Sequence, residues 1–270
     1  MEELIRQAAV AGSFYPADRD ELTRMLAQFL AQAEQQQPPF AHAPKAMIVP
    51  HAGYIYSGPV AASAYHSLLT ASERIKRVVL LGPSHRVPLR GLASCRATHY
   101  ATPLGLIPLD RSSLDALEAL PQVSINDEAH IPEHSLEVQL PFLQQVLDDF
   151  VLIPLVVGEA DETEVAEVLE TLWGDQHTLV VISSDLSHYH DYATARQRDQ
   201  HTSRAIEMLN PAAIHYDDAC GRNPVNGLLH AAKHRAMHVE TVDLRNSGDT
   251  AGPRDQVVGY GAYLFFETQA

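Results

Sequence analysis

An α/β fold with a largely parallel sheet and helices on both faces is predicted by two observations. Short apolar runs without polar interruption recur along the chain, and amphipathic stretches of helical length lie between them. Continuous Val, Ile and Leu, instead of alternation with polar residues, is what a strand covered on both faces requires. The 270 residues contain no internal repeat, low-complexity tract or long linker, so the reading is one domain over residues 1–270.

Asp18 and Glu21 have capping-box spacing, and Leu22, Met25, Leu26, Phe29 and Leu30 follow at helical period. A polar connection, Gln35-Gln36-Gln37-Pro38-Pro39, ends that helix. Ala46–Val49 and Val78–Leu81 read as buried strands. Val151–Val157 reads as a third, with Pro154 suggesting an edge or a bulge, and Leu179–Ile182 as a fourth. Helices are expected at about 59–69, 112–120, 134–147 and 162–173, the last with Asp161 and Glu164 at capping spacing and Gly174 at its end. Two more are expected over 194–209 and 224–235. The closing strands, about 237–245 and 257–266, suit an antiparallel edge.

A net charge of -15 repels phosphate backbones, and no basic stripe offsets it, which argues against nucleic acid as a partner. No apolar run approaches the ~20 residues that span a bilayer, and the acidic start, Met1–Arg6, lacks a signal-peptide core. With only Cys95 and Cys220, the expected setting is a reducing cytoplasm with both thiols free and no disulfide between them. Histidine is the anomaly: there are 15, several of them beside Gly, Pro, Ser or Asp.

Four segments follow strands or open helices: Pro50–Gly58, Leu81–His85, Ser183–His190 and Cys220–Pro224. Ligands of open α/β sheets bind outside the carboxyl ends of the strands. His51 and His85 stand just past two such ends and converge if their strands are neighbours. Asp185 and His188 follow a third. Glu133 and His134 open the predicted helix near 134, where a helix N-terminus favours a carboxylate and a neutral imidazole. Arg222 and the helix-opening amides near 221–224 form an anion-binding candidate. Packing does not repeatedly demand histidine at strand ends. Each residue alone has a plain structural use, but the recurrence points to one site. His42, His66, His99, His177, His201, His215, His230, His234 and His238 are read as surface or helix-face residues. Cys95 is read as a small buried apolar residue. Asn246–Thr250 is by itself a polar turn.

The segments PHAGYIYSG, LGPSH, EHSLEVQLPFL, SSDLSH, CGRNP, and NSGDT followed by VVGYGAY occur here in the order found in the Memo-like family. With the opening AVAGSFYPAD, the resemblance covers nearly the whole chain. It implies the fold of the class III extradiol dioxygenases, which hold Fe(II) with two histidines and a carboxylate. Memo-like proteins carry cysteine in place of that carboxylate. The resemblance therefore implies His51, His85 and Cys220 as metal ligands. It also implies His188 as the acid–base histidine, His134 as a second cleft histidine and Asp185 as a hydrogen-bonding group within that shell. In the enzyme reading His134 also moves protons, and Glu133 joins Asp185 in orienting the histidines.

Fe(II) is the first expectation for the metal, then Cu, then Zn, because two imidazoles and a thiolate suit all three. The expected function is a non-haem iron or copper redox enzyme. Two alternatives stand beside it: a metal- or peptide-binding module without turnover, and a zinc hydrolase. The ligand of the cleft is expected to be a small molecule or a peptide. The family context also implies an AMMECR-like protein and a radical SAM protein as pathway partners.

Overall fold

The computed structural model describes residues 3–37, 40 and 42–268. Met1-Glu2 and the Pro38-Pro39 part of the first connection lie outside the described residues.

The chain opens with β1 (Ile5–Arg6), α1 (Arg19–Gln36), β2 (Ala46–Val49), α2 (Tyr54–Tyr65) and β3 (Arg77–Pro83). Four short strands and two helices follow: β4 (Leu92–Ser94), β5 (His99–Thr102), β6 (Gly105–Pro108), α3 (Arg111–Leu117), β7 (Val123–Ile125) and α4 (Asp127–His130). Then come α5 (Leu140–Val146), β8 (Val151–Val157), α6 (Glu162–Leu172), β9 (Thr178–Ser183), β10 (His188–His190) and α7 (Tyr192–Glu207). The chain closes with α8 (Arg222–His234), β11 (His238–Asn246) and β12 (Val257–Phe266).

Among the described residues, nine strands form one sheet in the order β10-β12-β2-β9-β3-β8-β4-β7, with β11 also paired to β12. Its centre, β2-β9-β3-β8, is parallel throughout. Val78–Leu81 and Leu179–Ile182 are fully enclosed, which is why these strands are continuously apolar. Helices α1, α2 and α5 pack as one group and α6 and α8 as another, flanking the sheet. The last two long strands do form an antiparallel edge, β11 on β12, with β12 antiparallel to β2. A separate sheet joins β1, β5 and β6.

Capping chemistry sets the helix starts. The Asp18 side chain accepts from the Glu21 N–H, and Asp161 with Glu164 forms a reciprocal capping box. Gly174 follows α6 with φ 60, the left-handed backbone that glycine tolerates.

Several boundaries differ from the sequence expectation. The helix expected from about 59 begins at Tyr54 and continues as a 3-10 turn over His66–Ala71. Pro59 lies inside this helix, beyond its first turn, where it removes one main-chain donor. The helix expected over 134–147 is a 3-10 turn at Glu137–Gln139 followed by α5, so Glu133 and His134 lie in the preceding loop. Strand β8 is neither an edge nor bulged: β3 pairs along its whole length. On its other side β4 reaches only Val156 and Val157, so Pro154 lies in a stretch that β4 leaves unpaired. His66, read as a surface or helix-face residue, is buried where α2 passes into the 3-10 turn.

Candidate metal centre

Strands β2, β9 and β3 are parallel neighbours, so their carboxyl ends open on one side of the sheet. His51 follows β2, Asp185 and His188 follow β9, and His85 follows β3. The strands of His51 and His85 are not neighbours, because β9 runs between them. The rings nevertheless converge over the end of β9, with centroids 5.2 Å apart. They line a cleft of about 800 Å3 together with His134, Asp185, His188, Cys220 and Arg222.

The hydrogen bonds of His51 fix its tautomer. The Ser183 hydroxyl has one proton, and it goes to the Ser135 carbonyl at 2.6 Å. Ser183 Oγ must then accept from His51 Nδ1 at 2.8 Å, as it accepts from Gln139 Nε2. Gln139 is itself oriented, because its Nε2 also donates to the Pro50 carbonyl and its Oε1 accepts from the Tyr65 hydroxyl. His51 therefore carries its proton on Nδ1 and turns a bare Nε2 to the cleft. Burial, reinforced by His85 and His134, holds its pKa well below the usual value, so the ring stays neutral.

Glu133 does the same for His85. Its carboxylate accepts the His85 main-chain N–H at 2.6 Å and the ring Nδ1–H at 2.9 Å. It also accepts the N–H groups of His134 and Ser135. Burial alone pushes the Glu133 carboxyl up, but the bonds from His85 and Ser135 outweigh it and bring its pKa to about 2. A carboxylate only accepts, so His85 Nδ1 is the donor, and the nitrogen left bare in the neutral ring is Nε2. A histidine held through its second nitrogen by a carboxylate is a common arrangement behind metal ligands.

His134 stacks on His85 with centroids 4.5 Å apart, and its Nδ1 is 3.3 Å from Glu133 Oε1 without a hydrogen bond. Cys220 Sγ is 3.3 Å from His51 Nε2; since that nitrogen is bare, the thiol is the donor. Burial, with Asp185 beside it, pushes the thiol well above its usual pKa. Asp185 is buried, which raises its carboxyl, and its Oδ1 accepts the His51 N–H at 2.7 Å. His188 donates Nδ1–H to the Leu186 carbonyl at 2.8 Å.

His51, His85, His134, Asp185, His188 and Cys220 thus line one cleft, with Glu133 buried behind His85, but they group differently from the expected set. Possible ligand atoms lie within 4.8 Å of one another in two sets, His51–His85–His134 and His51–Asp185–Cys220. His51 is the member common to both. Of the anion-binding candidate, the Gly221 N–H is already used by Ser184 Oγ, and Arg222 donates to its neighbour Asn223. Both cysteines are free.

Sequence reasoning gave no role to Ser183, Gln139 or Ser135, which fix His51. A glutamine between Val138 and Leu140 was the available signal, since a buried amide must find partners. It also overlooked His190 and Phe14, which line the cleft. Tyr189 separates His188 from His190 with φ 61, a conformation uncommon outside glycine, and the pairing of β10 with β12 shifts register there.

Fold and cleft together define an α/β protein with a histidine-rich candidate metal site at the carboxyl edge of a parallel sheet. A family model described as Memo-like protein matches residues 6–264. A MEMO1 family protein of Aquifex aeolicus (strain VF5) is 37% identical over 273 residues, covering 97% of this chain and 99% of that protein. Another, of Methanosarcina barkeri (strain Fusaro / DSM 804), is 35% identical over 274 residues, covering 96% and 99%. The chain belongs to the Memo-like family. Among solved structures, the uncharacterized protein JW3007 from Escherichia coli K12 has a TM-score of 0.55 and 14% identity, covering 81% of this chain and 98% of that one, a likeness of fold alone. Among the described residues, no helix is long and apolar enough to cross a membrane.

Proposed function

We propose that this chain is a metalloprotein whose cleft holds one transition-metal ion on His51 and His85, with Cys220 as the third ligand. The observation that carries the reading is the pair of locked tautomers. Ser183 and Glu133 occupy the two Nδ1–H groups, which leaves both Nε2 lone pairs directed into one cleft. Two imidazoles and one anion leave coordination positions open for O₂ and a substrate on Fe(II), which makes iron the first choice, copper the second and zinc the third. The bound metal would supply redox chemistry. His188 and His134 move protons in this reading, and Asp185 and Glu133 hold the histidines in place.

A second reading is supported by the mutual closeness of His51, His85 and His134. Three imidazoles with an open fourth position suit a zinc ion that activates water, and the function would then be hydrolytic.

The metal content of variants separates the two readings. Cys220→Ser should lose most of its iron or copper, because a neutral hydroxyl replaces a thiolate, whereas His134→Ala and His188→Ala should stay near the wild-type content. The reverse pattern, with Cys220→Ser loaded and His134→Ala empty, would establish the three-histidine site instead. Any O₂-dependent turnover should fall by roughly 10²–10⁴ in His188→Ala, the usual contribution of a positioned acid or base.

A further inference from the structure

We infer that Arg6 is a positioning residue for the metal site: from the chain's first strand it fixes the loop whose Glu133 orients His85. The inference rests on the cleft reading above only for its metal readout; the orientation of His85 is measurable without metal.

Glu137 is fully buried, and its carboxylate takes donors from one short stretch of chain. These are Arg6 Nη1, the Ala9 N–H at 2.7 Å, the Val10 N–H at 2.9 Å and the Tyr15 hydroxyl at 2.6 Å. Residues 6–15 are thereby pinned as a strap. A fold that only needed to neutralise Glu137 would be served by any cation there.

Arg6 does more than neutralise. Its Nη2 donates to the Glu133 carbonyl at 2.6 Å and its Nε to the His130 carbonyl at 3.1 Å. Its guanidinium lies over the Tyr100 ring, 5.2 Å from the centroid. The planar fork thus ties both ends of residues 130–133 to the same buried carboxylate. That loop has no strand pairing of its own, and Ile131 within it is exposed. Glu133 hangs from the end of this loop that Arg6 holds, and the Glu133 side chain grips both the main chain and the ring of His85. The far end of the strap reaches the site as well. The Phe14 ring packs on His134 at 4.8 Å, and the Phe14 carbonyl accepts the Tyr54 N–H at 2.8 Å, three residues beyond His51.

Lysine can keep the charge beside Glu137, but its single ammonium cannot reproduce the fork to both carbonyls. Arg6→Lys therefore separates neutralisation from positioning. The test is ¹⁵N NMR of the histidine rings in the full, metal-free chain, followed by zinc titration. In the wild type, His51 and His85 should both show the Nδ1–H tautomer. In Arg6→Lys, His85 should become a mixture of tautomers while His51, held by Ser183, stays unchanged. Zinc affinity should fall by roughly 10–100-fold, the usual effect of losing a partner that orients a ligand. If Arg6→Lys does not fold, the double variant Arg6→Met/Glu137→Gln leaves no unpaired buried charge and should give the same pattern. An unchanged His85 in a folded variant, or His51 disturbed as much as His85, would overturn the inference. Absence of zinc binding in the wild type would sink the metal reading and leave the tautomer result to decide the role of Arg6.

Discussion

At the scale of single residues, the cleft is governed by which atoms have protons to give. Ser183 has one and gives it away, so His51 must donate to it; Glu133 has none, so His85 must donate to it. The acid response of Glu133 follows from the same bonds. Its pKa of about 2 in the folded chain lies below the ordinary 4.5. A carboxyl depressed on folding contributes stability that is complete above pH 4.5 and is lost as pH falls toward 2. That contribution is on the order of 3 kcal/mol. Glu133→Gln should be less stable than wild type at neutral pH, and the gap should close as pH falls through this window. Urea unfolding between pH 2 and 7 measures both curves, and parallel curves would refute the assignment. The residue types at the strand ends were legible in the sequence because histidine, glycine and proline cluster there without any packing need. The tautomers were not, since they depend on Ser183 meeting Ser135, 48 positions away, and Gln139, 44 positions away.

At the scale of elements, the close approach of α8 to β9 sets where Cys220 stands. A Cβ on Gly221 would lie 2.6 Å from Ser184 Cβ and 2.8 Å from the Ser183 carbonyl oxygen. Glycine is required here by space, not by backbone angle. Gly221→Ala should force α8 away from the strand, destabilise the fold by about 1–3 kcal/mol, and weaken metal binding by moving Cys220 from His51. Denaturant unfolding paired with metal titration checks this; a stable variant with unaltered affinity would show that the approach is not needed. The long buried strands and capped helices were legible because each declares itself locally, through a continuous apolar run or an Asp with Glu three residues on. β1, β4, β7 and β10 were not, because strands of two or three residues have no period and exist only through their partners. Pro154 misled because it removes a single donor, which a strand that β4 leaves unpaired along that stretch tolerates.

At the scale of the whole molecule, function depends on sheet order, which local sequence does not encode. β9 between β2 and β3 brings Asp185 under His51, and parallel alignment turns three strand ends toward one cleft. The histidines then belong to separate parts of the chain, 34 residues apart from His51 to His85 and 49 from His85 to His134. Their convergence yields the two candidate ligand sets, which have His51 in common. His51 is therefore the residue that both candidate sets require. The most direct test is elemental analysis of the wild type and of His51→Gln, purified side by side without oxygen. About one equivalent of iron or copper per wild-type chain is expected, with His51→Gln folded and nearly empty. Equal metal in both proteins, or none in the wild type even after anaerobic reconstitution, would contradict a metal site centred on His51.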